Sequence, residues 1–132
     1  MDVQKNTPLI CTADLSGQKQ FYQTYFGFKT VFDAPNYLAL KSKNGSCEIA
    51  FMPAGQCGMK NYDGGTLTLC LQVDNVDKAH DRLAQSGLNV VQPPTDTPWG
   101  DRSAVVLDPI GISLYLYEKI PMREECKQFL QE

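Results

Sequence analysis

Two stretches decide how this chain folds: ADLSGQKQFYQTYFG, residues 13–27, and VDNVDKAHDRLAQSG, residues 73–87. Each follows a short β pattern, opens on a capping residue and closes on glycine. In the first, the Asp14 carboxylate can accept bonds from the unpaired amides of a first helical turn. Leu15, Phe21, Tyr22 and Tyr25 then recur at broadly helical spacing, and Gly27 can take the left-handed conformation that ends a helix. In the second, Asn75 is the cap, Val76, Ala79 and Leu83 form the apolar face, and Gly87 is the stop.

The flanks of the two stretches match as well. Thr7 to Thr12 reads as a strand before the first helix. Phe28 to Phe32, Tyr37 to Ser42 and Ser46 to Met52 read as three strands after it. Asp33-Ala34-Pro35-Asn36 breaks the first of these from the second. Asn44-Gly45 predicts a tight hairpin, because both residues tolerate positive φ. Thr66 to Val73 alternates cleanly before the second helix, with Leu67, Leu69, Leu71 and Val73 on one face. Leu88 to Val91, Arg102 to Leu107 and Ile112 to Glu118 follow that helix as strands. Gln92 to Gly100 is a proline-rich loop holding the only tryptophan, Trp99, and Asp108-Pro109-Ile110-Gly111 is a turn.

A strand–helix–strand–strand–strand unit is thus written twice, which constrains the fold more than any single motif. The expected class is α+β. Two tandem βαβββ modules, about 7–52 and 66–118, form curved mixed sheets around a cavity. A Gly-rich linker, 53–65, joins them, and a charged tail, 119–132, follows. A length of 132 residues fits one domain.

Composition narrows the partners. The net charge of −3 and the lack of a basic stripe speak against nucleic acid. No apolar run approaches membrane-spanning length, and MDVQKNTP lacks a signal-peptide core. Five cysteines without a Cys-x-x-Cys do not make a disulfide framework or a zinc-thiolate cluster. They read as reduced thiols of a cytoplasmic protein, several filling strand positions as small hydrophobes.

Strand alternation assigns a concave lining. By strand it is Thr7, Leu9 and Cys11; Tyr37, Ala39 and Lys41; Glu48, Ala50 and Met52; Thr66, Thr68, Cys70 and Gln72; Ser113, Tyr115 and Tyr117. Trp99 and Arg102 border it. Glu48 faces the cavity, because the helix side would bury its charge without a partner at a cost of several kcal/mol. The candidate ligand contacts are Thr7, Tyr37, Glu48, Met52, Thr68, Cys70, Trp99, Arg102, Tyr115 and Tyr117. Each has a plainer reading. Tyr115 and Tyr117 can pack on neighbouring strands, and Trp99 can plug a sheet edge. Arg102 can pair with Asp101 or Asp108. Cys11 and Cys70 lack a base close in sequence to activate them. Lys41 points to solvent at a strand end, and the only histidine, His80, sits on a solvated helix face.

The segments ADLSGQKQFYQTYFGF, VDNVDKAHDRLAQSG and PWGDRSAVVLDPIGISLYLYE together resemble the vicinal oxygen chelate superfamily. This is the group of glyoxalase I, bleomycin-resistance proteins, fosfomycin-resistance enzymes and extradiol dioxygenases. The last segment is the most specific, with Trp-Gly-x-Arg followed by Asp-Pro-x-Gly and an alternating strand. The resemblance implies paired βαβββ modules, ligand sites on concave surfaces and a homodimer in most relatives. Metal-dependent members place His, Gln or Glu ligands at positions that correspond here to Thr7, Glu48, Thr68 and Tyr115. A neutral threonine hydroxyl is a feeble ligand, and tyrosine ligates well only as phenolate, disfavoured by a pKa of about 10. Only Glu48 keeps the required chemistry.

The expectation is therefore a metal-independent small-molecule-binding protein without a cofactor. It would sequester a planar or cationic drug or toxin, as in the bleomycin-resistance branch. The alternative is a lyase, isomerase or dioxygenase with an atypical active site, in which Glu48, Tyr115 or a cysteine does the acid–base or nucleophilic work. A third reading is a structural or regulatory module with no ligand, against which the polar alternation of Thr66 to Gln72 argues.

Overall fold

The computed structural model describes residues 1–55 and 58–131. Cys57, counted above among the cysteines, and the Gln56–Cys57 part of the linker lie outside the described residues. The chain divides into two compact units, one ending at Gly64 and the other beginning at Gly65. The first contains β1 (Leu9–Cys11), α1 (Leu15–Phe26), β2 (Lys29–Ala34), β3 (Tyr37–Lys41) and β4 (Glu48–Met52). The second contains β5 (Thr68–Gln72), α2 (Val76–Gln85), β6 (Val90–Asp96), β7 (Asp101–Leu107) and β8 (Ser113–Lys119). A short helix, α3 (Glu124–Lys127), follows. The sheets run β1-β4-β3-β2 and β5-β8-β7-β6. In each, the first strand lies parallel to the last, and the other pairings are antiparallel. This is the α+β pair of βαβββ modules that the duplicated stretches imply.

The caps work as their chemistry requires. The Asp14 Oδ1 accepts the Gly17 amide at 3.0 Å, and Gly27, at φ 65°, closes α1 by donating to the Gln23 and Tyr22 carbonyls. Asn75 Oδ1 accepts the Lys78 amide at 3.0 Å. The Glu118 carboxylate adds a bond from the Val76 amide at 3.1 Å, so two of the four orphan donors of α2 are satisfied by side chains.

Each helix covers one face of its own sheet. Phe21 and Tyr22 of α1 are buried, as are Ile10, Leu38, Leu40, Ile49 and Phe51 of the strands. The Tyr22 and Phe51 rings lie 6.0 Å apart. In the second unit α2 packs on β6, β7 and β8. Val76 and Leu83 are buried there, with Ala104, Val106, Leu114 and Leu116 on the strands. Burying a large apolar side chain of this kind contributes about 2 kcal/mol.

Several local expectations are corrected. Asn44-Gly45 is not a two-residue hairpin with both residues at positive φ. Only Gly45 is positive, at 77°. Asn44 instead accepts bonds from the Ser46 amide and the Ser42 and Ser46 hydroxyls, which ties a wider loop together. The two-residue connection is Pro35-Asn36, and β2 runs on through Asp33 and Ala34. The proline-rich segment is largely strand: β6 extends to Asp96 through Pro93 and Pro94. It is an edge strand, where a missing N–H leaves no ladder bond unmade. Thr7 and Thr66 precede β1 and β5 and are not part of them.

Candidate functional site

The helices cover one face of each sheet, so residues alternating away from them form the open faces. In the first unit Lys41 pairs with Glu48 and Ala39 with Ala50. Leu9 pairs with Ala50 and Cys11 with Met52. This register sets Glu48, Ala50 and Met52 beside Tyr37, Ala39 and Lys41, opposite α1. A register shift between Thr30 and Phe32 then distorts β2. Val31, Phe32, Asn36, Tyr37, Ala39 and Glu48 line an open groove of about 510 Å³. Small-molecule sites run roughly 300–1,000 Å³.

Phe32 is 54 % exposed, and its ring meets that of Tyr37 edge-on at 5.7 Å and 70°. Tyr37 is half-buried, and Phe32 with the adjacent exposed Val31 leaves apolar surface in contact with water at the groove wall. Glu48 closes the polar edge. Its carboxylate bonds to the Lys5 ammonium at 2.5 Å, and its side chain is 14 % exposed against 62 % for Lys5. Of the candidate contacts in this unit, Tyr37 and Glu48 line the groove. Thr7 and Met52 are not among its lining residues. Val31, Phe32 and Asn36 were missed. The available signal was the adjacent apolar pair Val31-Phe32, which breaks period-two alternation as a β-bulge does.

The open face of the second unit carries Thr68, Cys70 and Gln72 on β5 beside Ser113, Tyr115 and Tyr117 on β8, in register. The Tyr115 and Tyr117 rings lie 6.1 Å apart, and the Lys119 ammonium stands 5.6 Å from the Tyr117 ring centre. The Tyr115 hydroxyl donates to Asp101 Oδ1 at 2.9 Å, and the Thr97 hydroxyl donates to the same oxygen at 3.1 Å. Burial pushes the Tyr115 phenol above its ordinary range. The neighbouring Ser103 hydroxyl opposes the rise, Asp101 reinforces it, and Trp99 opposes it weakly. Tyr115 is a proton-holding donor.

Trp99 is not a buried plug: it is 58 % exposed at a turn. Gly100 holds that turn at φ 102°, where a Cβ would stand 3.3 Å from the Ile120 carbonyl oxygen. The Ile120 and Arg123 amides donate to the Gly100 and Pro98 carbonyls, which stitches the turn to the chain after β8.

Arg102 is placed differently from the expectation that it borders the ligand face. It pairs with Glu118 in the β7–β8 register and alternates onto the α2 side. Its Nε and Nη2 donate to the two Asp77 carboxylate oxygens, and its Nη1 to Asp96, all at 2.9 Å. The partners are Asp77 and Asp96, not the Asp101 or Asp108 that sequence proximity suggested. The bidentate bond holds the Asp77 carboxyl below its ordinary range and the guanidinium above its own. His80 lies on α2 with Nδ1 3.1 Å from Asp81.

The metal-dependent members of the resembled superfamily imply a divalent ion, and the residues here do not fit one. Thr7 and Thr68 offer neutral hydroxyls. Tyr115 spends its proton on Asp101, and Glu48 is ion-paired to Lys5. Among the described residues no three His, Cys, Asp or Glu side chains are grouped so as to hold a metal ion. Nor, among them, is any helix long and apolar enough to cross a membrane.

Two βαβββ modules, each with a helix on one sheet face and the other face open, define the class of the fold. The chain belongs to the Glyoxalase/Bleomycin resistance protein/Dioxygenase superfamily, whose family model matches residues 6–116. Among solved structures it is similar to TnmS3, an antibiotic binding protein from Streptomyces sp. CB03234. That match has 27% identity and a TM-score of 0.73, covering 90% of this chain and 98% of that one. A superfamily member from Sphaerobacter thermophilus DSM 20745 is 25% identical with a TM-score of 0.72, over 89% of this chain and 98% of its own. A lactoylglutathione lyase from Agrobacterium tumefaciens is 21% identical with a TM-score of 0.67, over 85% and 90%, a likeness of fold alone. No curated protein matches the chain by sequence.

Proposed function

We infer that this protein is a metal-independent small-molecule-binding protein that sequesters a planar, cationic compound. One observation carries the reading: an open groove walled by the exposed Phe32 and the half-buried Tyr37, with a carboxylate, Glu48, at its edge. Aromatic faces bind flat rings by stacking, and both the rings and the carboxylate attract positive charge. Sequestration needs only shape and charge, with no Lewis acid and no base. The likeness to TnmS3, an antibiotic binding protein, supports the same reading. So does the donor chemistry of Thr7, Thr68 and Tyr115, which suits gripping and not polarising. The proposal extends to a cytoplasmic homodimer, as the reduced-cysteine pattern and the habit of the superfamily suggest.

The test is a titration with 9-aminoacridine, a planar monocation, followed by its own fluorescence and by calorimetry. Saturable binding is expected at one probe per chain. Phe32→Ala should weaken it roughly two- to tenfold, the scale of a lost stacking partner. Its melting temperature should match that of the parent, because Phe32 is exposed. Equal binding by parent and variant removes the groove as the site.

A further inference from the structure

Glu48 has chosen an unexpected partner. Its neighbour across the β3–β4 ladder is Lys41, yet the carboxylate bonds to Lys5, 43 residues away in sequence. Lys5 belongs to no strand or helix: residues 1–8 run without regular structure. The Pro8 carbonyl, accepting the Ala50 amide at 2.9 Å, joins this segment to β4. Between that anchor and Lys5 lie only Asn6 and Thr7, a span of about 10 Å when extended. The two partners differ sharply in burial. Glu48 is 14 % exposed and set in the groove wall, whereas Lys5 is 62 % exposed and reaches in from outside.

We propose, building on the groove as the ligand site, that Lys5 is a built-in occupant of its cation subsite, an ammonium on a strap that an incoming ligand must displace. The Lys5 ammonium marks where a ligand's positive group sits, against the Glu48 carboxylate at the edge of the Phe32–Tyr37 wall. The ligand class is narrowed accordingly: a flat ring system bearing a hydrogen-bonding ammonium or amidinium group. A neutral ring system leaves Lys5 in place and gains nothing from Glu48. A cation with no ring competes with a tethered ammonium present at high effective concentration, and loses. Only a ligand with both parts gains stacking and charge together. Exchange is easy, because the pair is mostly solvated on the lysine side and holding the strap down costs chain entropy. Lys5 thereby sets specificity: it screens Glu48 from stray cations while the groove is unfilled.

The experiment compares the parent, Lys5→Met, Glu48→Gln and the double variant. Two probes are used at equal ionic strength: 9-aminoacridine and its neutral relative acridone. Lys5→Met is expected to bind 9-aminoacridine about fivefold tighter and acridone unchanged, by removal of the tethered competitor. In the Glu48→Gln background, Lys5→Met should change neither probe. Weaker or unaltered 9-aminoacridine binding by Lys5→Met overturns the proposal. A second measurement needs no ligand: backbone amide relaxation of residues 2–6. Glu48→Gln should release the strap, lowering order parameters there to below about 0.6. Equal order in parent and variant overturns the strap whether or not any probe binds. The groove is tested separately: if Phe32→Ala binds 9-aminoacridine like the parent, the groove reading fails, while the relaxation result still decides the strap.

Discussion

The two open faces come from the same duplicated unit, yet they treat a carboxylate in opposite ways. In the first unit Glu48 stands at a groove edge and is held by one solvated ammonium on an irregular segment. In the second unit Asp101 is buried and held by two hydroxyls, from Tyr115 and Thr97, that are fixed in the sheet and its turn. The first arrangement can exchange its partner at little cost. The second cannot, because opening it would strand a buried acceptor. The lesson is that one topology carries its carboxylates on different strands, β4 and β7, and that a partner held inside or outside the sheet sets what each carboxylate can do.

The comparison breaks most visibly at Asp101. Asp101→Ala should destabilise the protein by about 2 kcal/mol, since it leaves the Tyr115 hydroxyl without its acceptor, while the Thr97 hydroxyl keeps the Asp101 backbone carbonyl. Denaturant unfolding measures this, and a loss as small as that of Glu48→Gln would erase the distinction. Tyr115→Phe comes next, at about 1 kcal/mol for one hydrogen bond. It also has a pH signature. The phenol is raised in the folded state, so the unfolded chain releases that proton first. Stability from this group is present below the ordinary tyrosine pKa of about 10 and is lost as pH rises through the folded value. The parent should therefore lose stability more steeply than Tyr115→Phe above that point, and parallel alkaline curves would contradict it.

Arg102→Met sharpens the contrast between the open face and the helix side. It should lower the melting temperature at neutral pH without altering 9-aminoacridine binding. The Asp77 carboxyl is depressed by Arg102, so its stabilising effect is present above the ordinary aspartate range and fades as pH falls through the lower folded value. Parent and variant should then converge in acid, and a difference that persists there would assign the effect to packing. Smallest of all is Trp99→Ala, expected within about 0.5 kcal/mol of the parent because the indole is exposed.

What was readable in the chain was periodic or local. Asp14, Gly27 and Asn75 announced the helices, because capping is a matter of one side chain and the next turn. The alternation of Thr68 to Gln72 and of Ser113 to Tyr117 assigned faces, because successive strand residues point to opposite sides. That rule also set Glu48, Ala50 and Met52 away from α1.

The rest depended on what meets across the sheet. The distorted β2 that brings Val31 and Phe32 to the groove reflects pairing with β3, and no residue of β2 alone requires it. Pro93 and Pro94 suggested a loop, and only their position on an edge strand lets them lie in the sheet. Arg102 chose Asp77 on α2 and Asp96 on β6 over its sequence neighbours, and Glu48 chose Lys5 over Lys41. Charge partners are selected by distance in space, and a linear sequence records only distance along the chain.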